Sequence, residues 1–200
     1  QFTNESTPEA NETIILTLSS PVNATVGSTS TLTYTITDDD TAPTIYFASS
    51  SLSGAESVTP AVFTVVLSGA AGQAVGFTYA VVSASTTATG GGSDYTLANG
   101  TSTIAAGATS TTINATIVND NQNEPSETLT LAISAPTGAT LGATTTATYT
   151  ILDDETVPEV YFVATASSGA ESVTPVNIRI LLSAVSGQNV QVGYALVVAS

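Results

Sequence analysis

The octapeptide SGAESVTP occurs at residues 53–60 and again at residues 168–175, an offset of 115. At that offset, and without a gap, residues 43–85 and 158–200 agree at 21 of 43 positions. The same shift places Asp38, Asp39 and Asp40 on Asp153, Asp154 and Glu155, Glu9 and Glu12 on Glu124 and Glu127, and Gly27 on Gly142. Identity that dense marks an internal repeat. The expected organisation is a C-terminal part of one repeat at residues 1–42, a complete repeat at 43–157, and an N-terminal part of a third at 158–200. The two outer parts supply 85 of 115 positions, so they could not complete each other, and a segment of a longer tandem array is expected.

Within a repeat the hydrophobic pattern is that of strands. Residues 60–68 (PAVFTVVLS) and 74–82 are β-branched, aromatic or apolar runs of strand length. Residues 111–118 alternate, with Ile113, Ala115 and Ile117 on one face and Thr112, Asn114 and Thr116 on the other. Residues 128–133 and 143–152 alternate similarly, and glycines punctuate the runs at positions 69, 90–92, 100 and 107. Without any helical period, this predicts an all-β chain of tandem immunoglobulin-like antiparallel β-sandwiches, about seven strands to each repeat.

Composition removes whole classes of chemistry. The chain has no His, Cys, Lys, Met or Trp, and its one basic residue is Arg179, against 16 acids. There is therefore no imidazole base, thiol nucleophile, Schiff-base lysine or ordinary zinc site. A net charge of −15 argues against binding to nucleic acid or to anionic lipid, and no apolar run is long enough for membrane insertion. Paired carboxylates acting on glycans remain conceivable, but acids repeated in every copy without an aromatic cleft do not describe an enzyme.

The acids are not scattered. The complete repeat holds Glu56, Asp94, Asp120, Glu124, Glu127, Asp153, Asp154 and Glu155 and no basic residue, all of them in turns or at strand ends. Of the 16 acids, 15 occupy these phased positions or their copies Glu5, Glu9, Glu12, Asp38, Asp39, Asp40 and Glu171; Glu159 alone falls outside. Isolated loop acids are usually solvated charge, but a solubilising surface would interleave lysine. A run such as Asp38, Asp39 and Asp40 beside further carboxylates repels itself unless a cation sits among them. Hard oxygen donors without nitrogen or sulfur select Ca²⁺, and Mg²⁺ prefers to keep its waters. The helix-loop-helix calcium spacing is absent, so the site must be assembled from separate segments of a sandwich.

The string Ser93-Asp94-Tyr95, Gly100-Thr101, Ile104-x-x-Gly107, Asn119-Asp120-x-x-x-Glu124-x-x-Glu127, residues 138–142 (GATLG) and the closing residues 149–155 (YTILDDE) resemble the Calx-β domain. The resemblance implies an immunoglobulin-like sandwich binding several calcium ions at one pole through the eight acids of the complete repeat, with Gln122 adding a backbone carbonyl. It also implies two families of context, regulatory modules of sodium–calcium exchangers and repeats of large extracellular adhesion proteins. Asn119, like Asn4 one repeat earlier, stands where strongly binding members carry Asp, which implies fewer ions or weaker affinity. Glu5 replaces Asp120 in the preceding copy.

Two residues, Thr156 and Val157, separate Glu155 from Pro158, as Thr41 and Ala42 precede Pro43. So short a linker ending in proline leaves little freedom. The expected function is a calcium-binding structural or adhesive repeat of an extracellular, cell-surface protein or filament, with calcium rigidifying the junctions. The alternative is a calcium-sensing regulatory module of a membrane protein. Expected partners are calcium, neighbouring repeats, and identical subunits in a fibre, because the sheet edges lack protective lysines. Sequons at Asn4, Asn11, Asn23, Asn99 and Asn114 are candidate sites for glycans.

Overall fold

A computed structural model describes Thr3 and residues 7–197; Asn4 and Glu5 lie outside the described residues. In chain order the strands are β1 (Glu12–Thr17), β2 (Thr31–Ile36), β3 (Thr44–Phe47), β4 (Ser51–Ala55), β5 (Ala61–Leu67), β6 (Val75–Val81), β7 (Tyr95–Thr96), β8 (Gly100–Ile104), β9 (Ser110–Ile117), β10 (Glu127–Thr137), β11 (Thr140–Leu141), β12 (Thr146–Leu152), β13 (Val160–Phe162) and β14 (Ile180–Leu182). Among the described residues no helix is long and apolar enough to cross a membrane.

Strands β3 to β12 form two five-stranded sheets, ordered β4-β12-β10-β6-β8 and β11-β3-β5-β9-β7. That is ten strands rather than about seven. The additional ones are short edge pieces, such as β7 and β11 with two residues each, too short to display a period. Most pairs are antiparallel, but β11 runs parallel to β3 and β4 parallel to β12. The chain thus leaves one sheet after β3 and joins the other as β4.

The alternating runs point inward as their pattern requires. Ala61, Phe63, Val65 and Leu67 of β5, Ile113, Ala115 and Ile117 of β9, Leu129, Leu131 and Ile133 of β10, and Ala147, Tyr149 and Ile151 of β12 are all buried. Burying one such large aliphatic or aromatic side chain contributes roughly 1.5–3 kcal/mol. Phe63 lies at the centre, edge-on to Phe47 at 6.3 Å and tilted against Tyr149 at 6.2 Å. The buried Thr130 is satisfied, its hydroxyl reaching Ser85 O at 3.0 Å and Thr148 Oγ1 at 2.9 Å.

The flanking segments pair in the same registers, shifted by the repeat. In β1–β2, Glu12 faces Ile36 and Thr17 faces Thr31. The corresponding part of β10–β12 sets Glu127 against Ile151 and Ala132 against Thr146. Likewise β13–β14 sets Phe162 against Ile180, as β3–β5 sets Phe47 against Val65. These flanking hairpins leave large apolar residues exposed, among them Leu16, Leu32, Phe162 and Ile180.

Candidate metal centre

One pole of the sandwich collects the acids, and strand direction explains why. Because β4 and β12 run parallel, with Ala55 beside Leu152, their C-terminal ends emerge together. Glu56 N donates to Leu152 O at 2.9 Å, which sets Glu56 beside Asp153 and Glu155. Strand β10 runs the other way and begins at Glu127, opposite Ile151, so the turn containing residues 120–124 arrives at the same end. Tyr95 pairs with Ile117, and Val118 N donates to Asp94 O at 2.9 Å. That places Asp94 beside the exit of β9 and the start of this turn.

Carboxylate oxygens of Glu56, Asp153 and Glu155 lie within 4.8 Å of one another. Calcium holds oxygens at 2.3–2.6 Å, so two ligands on one ion stand at most about 5 Å apart. The trio meets that limit. Glu56 is buried, and Glu56 Oε1 and Glu155 Oε2 are enclosed without a hydrogen-bond partner. Leaving buried carboxylate oxygens unsatisfied is costly, and two unit charges 4 Å apart repel by about 4 kcal/mol near a protein surface. A divalent cation would satisfy the oxygens and cancel the repulsion.

The proton affinities carry the same signature. Burial, then the close approach and charge of the Glu155 side chain, push the Glu56 carboxyl up to about 7. Burial, then a hydrogen bond and charge from Asp94, push Glu127 up to about 7 as well. Glu124 is raised first by burial and then by the charges of Asp120, Asp94, Asp153 and Glu155, so it stands between the two groups. Asp120 is the exception. Hydrogen bonds from Gln122, through its backbone N at 2.7 Å and its side-chain Nε2 at 2.9 Å, hold Asp120 below the usual carboxylate range.

Glu56, Asp94, Asp120, Glu124, Glu127, Asp153 and Glu155 are therefore brought together. Asp154 is not; it is exposed and takes a hydrogen bond from Ser57 Oγ at 2.5 Å. Asn119 is exposed and its amide donates to Asp120 O at 3.3 Å, while Gln122 holds Asp120 through its backbone N and its side-chain Nε2. In the preceding segment Glu9, Asp38 and Asp40 line one cavity with Pro8, Ala42, Ala71, Gln73 and Gly138. Glu12 and Asp39 are exposed, as is Glu171 in the following one. Of the sequons, Asn11, Asn23, Asn99 and Asn114 are exposed. Asn11 Oδ1 accepts from Asp38 N at 3.0 Å and Asn99 Oδ1 from Val81 N at 2.8 Å, so both amides also serve the scaffold.

Sequence reasoning missed Asn123. Its Nδ2 donates to Asp153 Oδ2 at 2.8 Å and to Glu155 O at 3.3 Å, while Glu124 N donates to Asp153 Oδ1 at 2.9 Å. Asn123 thus aims Asp153 from behind. The only clue was its position beside Glu124 in an acid-rich turn.

A search of curated proteins finds no match to the chain. Among solved structures, that of CBD12 from CALX1.2 is similar with a TM-score of 0.52 and 22% identity over 65% of this chain. The chain spans about half that structure's length, 52%. The apo-form Calx CBD1 domain is similar with a TM-score of 0.50 and 21% identity, covering 56% of this chain and 98% of that one. The Calx CBD2 domain gives a TM-score of 0.50 at 18% identity over 55% of this chain and 86% of its own. These likenesses bear on the fold. A sequence profile of the Calx-beta domain matches residues 38–155, which takes in both sheets and every acid of the pole. Calx-β domains bind Ca²⁺ and are non-catalytic modules, and the acidic cluster here has the donor set and spacing to hold that ion. The chain belongs to the Calx-β domain family.

Proposed function

We propose that this chain is part of an extracellular array of Calx-β repeats in which calcium stiffens the joint between one sandwich and the next, giving a cell-surface protein a structural or adhesive spacer. The observation that carries this reading is phase. The acids recur at an offset of 115, and the closing trio Asp153, Asp154 and Glu155 stands two residues before Pro158. The flanking hairpins, paired in registers shifted by the same offset, support a domain organisation of 1–42, 43–157 and 158–200. Glu56, Asp153 and Glu155 would hold an ion, with Glu124, Asp120, Asp94 and Glu127 extending the site. Bound calcium would tie β4, β12 and the 120–124 turn together at the place where the chain leaves the domain. Extracellular calcium modules work at dissociation constants of about 10⁻⁴–10⁻³ M, so millimolar calcium would occupy even a weak site.

Small-angle scattering with calcium and with chelator tests the proposal. The expected result is a larger and better-defined maximum dimension with calcium; an unchanged profile overturns the stiffening. Fibre assembly through uncovered sheet edges and glycans at Asn11, Asn23, Asn99 or Asn114 belong to the same proposal, and mass spectrometry of the natural material checks the sugars.

A further inference from the structure

A glycine recurs at the two inter-repeat contacts without any need for its backbone freedom. Gly72 N donates to Pro8 O at 2.9 Å, and Gly187 N donates to Asn123 O at 3.1 Å. Both members of each pair differ by the repeat offset of 115, so one hydrogen bond occurs at two junctions. At the second junction Asn123 N also approaches Val185 O at 3.4 Å, and Asn123 forms a parallel bridge with Ser186. Pro8 has no N–H to offer, and its contact keeps only the carbonyl acceptor. The shared feature is therefore a glycine N–H capping the carbonyl just before Glu9 or Glu124.

Neither Gly72 nor Gly187 has positive φ; that conformation belongs to Gly91, Gly92, Gly107 and Gly138. Alanine would suit both backbones, but not the space. A Cβ on Gly72 would lie 3.0 Å from Glu9 Cβ and 3.2 Å from Pro8 O. A Cβ on Gly187 would lie 2.7 Å from Glu124 Cγ and 2.9 Å from Cδ. By contrast, Gly69 and Gly169 have nothing within 4 Å of such a Cβ.

We infer that the β5–β6 loop, and its counterpart at residues 183–189, is a docking site for the acid-bearing turn of the preceding repeat, with Gly72 and Gly187 as the keys that let the turn seat. The carbonyl that docks belongs to Asn123, whose side chain aims Asp153, and the side chain that needs the clearance is that of Glu124. Ion binding in one repeat and the orientation of the next are thus joined through two consecutive residues, Asn123 and Glu124. The link to ion binding rests on the calcium reading above; the docking itself does not.

The test uses the 200-residue chain, whose lack of cysteine allows clean spin labelling. Labels at Ala105→Cys and Ser168→Cys, both exposed, report the second junction, and labels at Val22→Cys and Ala105→Cys the first. Gly187→Ala is expected to weaken calcium binding about tenfold, the scale seen when support of a metal ligand is lost. It should also broaden the second distance distribution. Gly72→Ala meets both Glu9 Cβ and the Pro8 carbonyl and should lengthen the first distance. Gly169→Ala, with open space around it, should change neither. If Gly187→Ala leaves both affinity and distances at their wild-type values, the docking inference is overturned while the calcium reading stands. If the wild-type chain binds no calcium, that reading fails, and the docking inference stands or falls on the distances alone.

Discussion

The hairpins β1–β2 and β10–β12 pair in one register and live in opposite surroundings. Leu131 of β10 is fully buried, whereas its counterpart Leu16 in β1 is 59% exposed. Register is therefore written locally, in the alternation of apolar and Thr positions, because a one-residue slip would turn every side chain over. Burial is not local. It needs the opposite sheet, which β3, β5 and β9 supply to β10 and which no described strand supplies to β1. The same contrast holds for the acids. Glu56 is enclosed by its neighbours, while Glu171, at the same phase of the repeat, is exposed.

The largest expected effect lies in that hydrophobic difference. Leu131→Ala should cost about 2–5 kcal/mol, the range for emptying a packed aliphatic site. Leu16→Ala, the same change in the same register, should fall within about 0.5 kcal/mol. Urea unfolding in chelator measures both. Equal costs would mean that β1–β2 belongs to the same cooperative unit as the sandwich, and would dissolve the contrast.

The acids give the next largest effect. At calcium one hundred times its dissociation constant, binding stabilises the folded state by about 2.7 kcal/mol. Glu56→Gln should abolish most of that gain and yet raise stability in chelator, because a buried repulsion with Glu155 is removed. Glu171→Gln should alter neither by more than about 0.5 kcal/mol. Thermal unfolding with and without calcium checks this. A glutamine at position 56 that weakens the calcium-free protein would show that Glu56 is structural rather than a ligand.

What could be read beforehand divides along the same line. Runs with clean alternation, such as residues 111–118, declare both their strand and their buried face. The segment that became β4, Ser51–Ala55, reads SLSGA and has no such signature. Its parallel pairing with β12 is a tertiary fact. That pairing puts Glu56 beside Glu155, so the raised proton affinity of Glu56 could not be inferred from spacing. Repeat phase marked the acids as a set, but not which of them point inward. Asp153 and Asp154 are adjacent and carry the same side chain, and strand geometry alone sends one into the cluster and the other to solvent. Asn123 escaped because an amide that aims a ligand looks like any loop polar residue.

A smaller effect should follow pH, and it reverses with calcium. Glu56 and Glu127 ionise near 7 when folded instead of near 4.5, so the folded state holds their protons more tightly than the unfolded chain. Their contribution to stability is fully present below about 4.5 and lost as pH rises through about 7. Asp120, held below its usual range, acts oppositely and costs stability at the acid end. Calcium-free protein should therefore be most stable in mildly acidic solution and weaken toward pH 8. The loss should be about 1 kcal/mol for each of the two carboxyls, because nearby water screens part of the repulsion. Calcium competes with those protons, so in its presence stability should rise over the same interval. Parallel melting curves in chelator and calcium decide the matter; the same slope in both would disconnect the raised carboxyls from the metal site.

The smallest effect should come from the acid that faces away. Ser57 Oγ bonds Asp154 at 2.5 Å, but both residues are exposed, and a surface hydrogen bond of this kind contributes about 1 kcal/mol at most once water replaces it. Ser57→Ala should shift the unfolding midpoint in urea only slightly and leave the calcium titration curve where it was. A large loss of calcium affinity in this variant would move Asp154 into the cluster. The division between inward-facing and solvent-facing acids, on which the comparison of the two regions rests, would then have to be redrawn with all three closing acids as ligands.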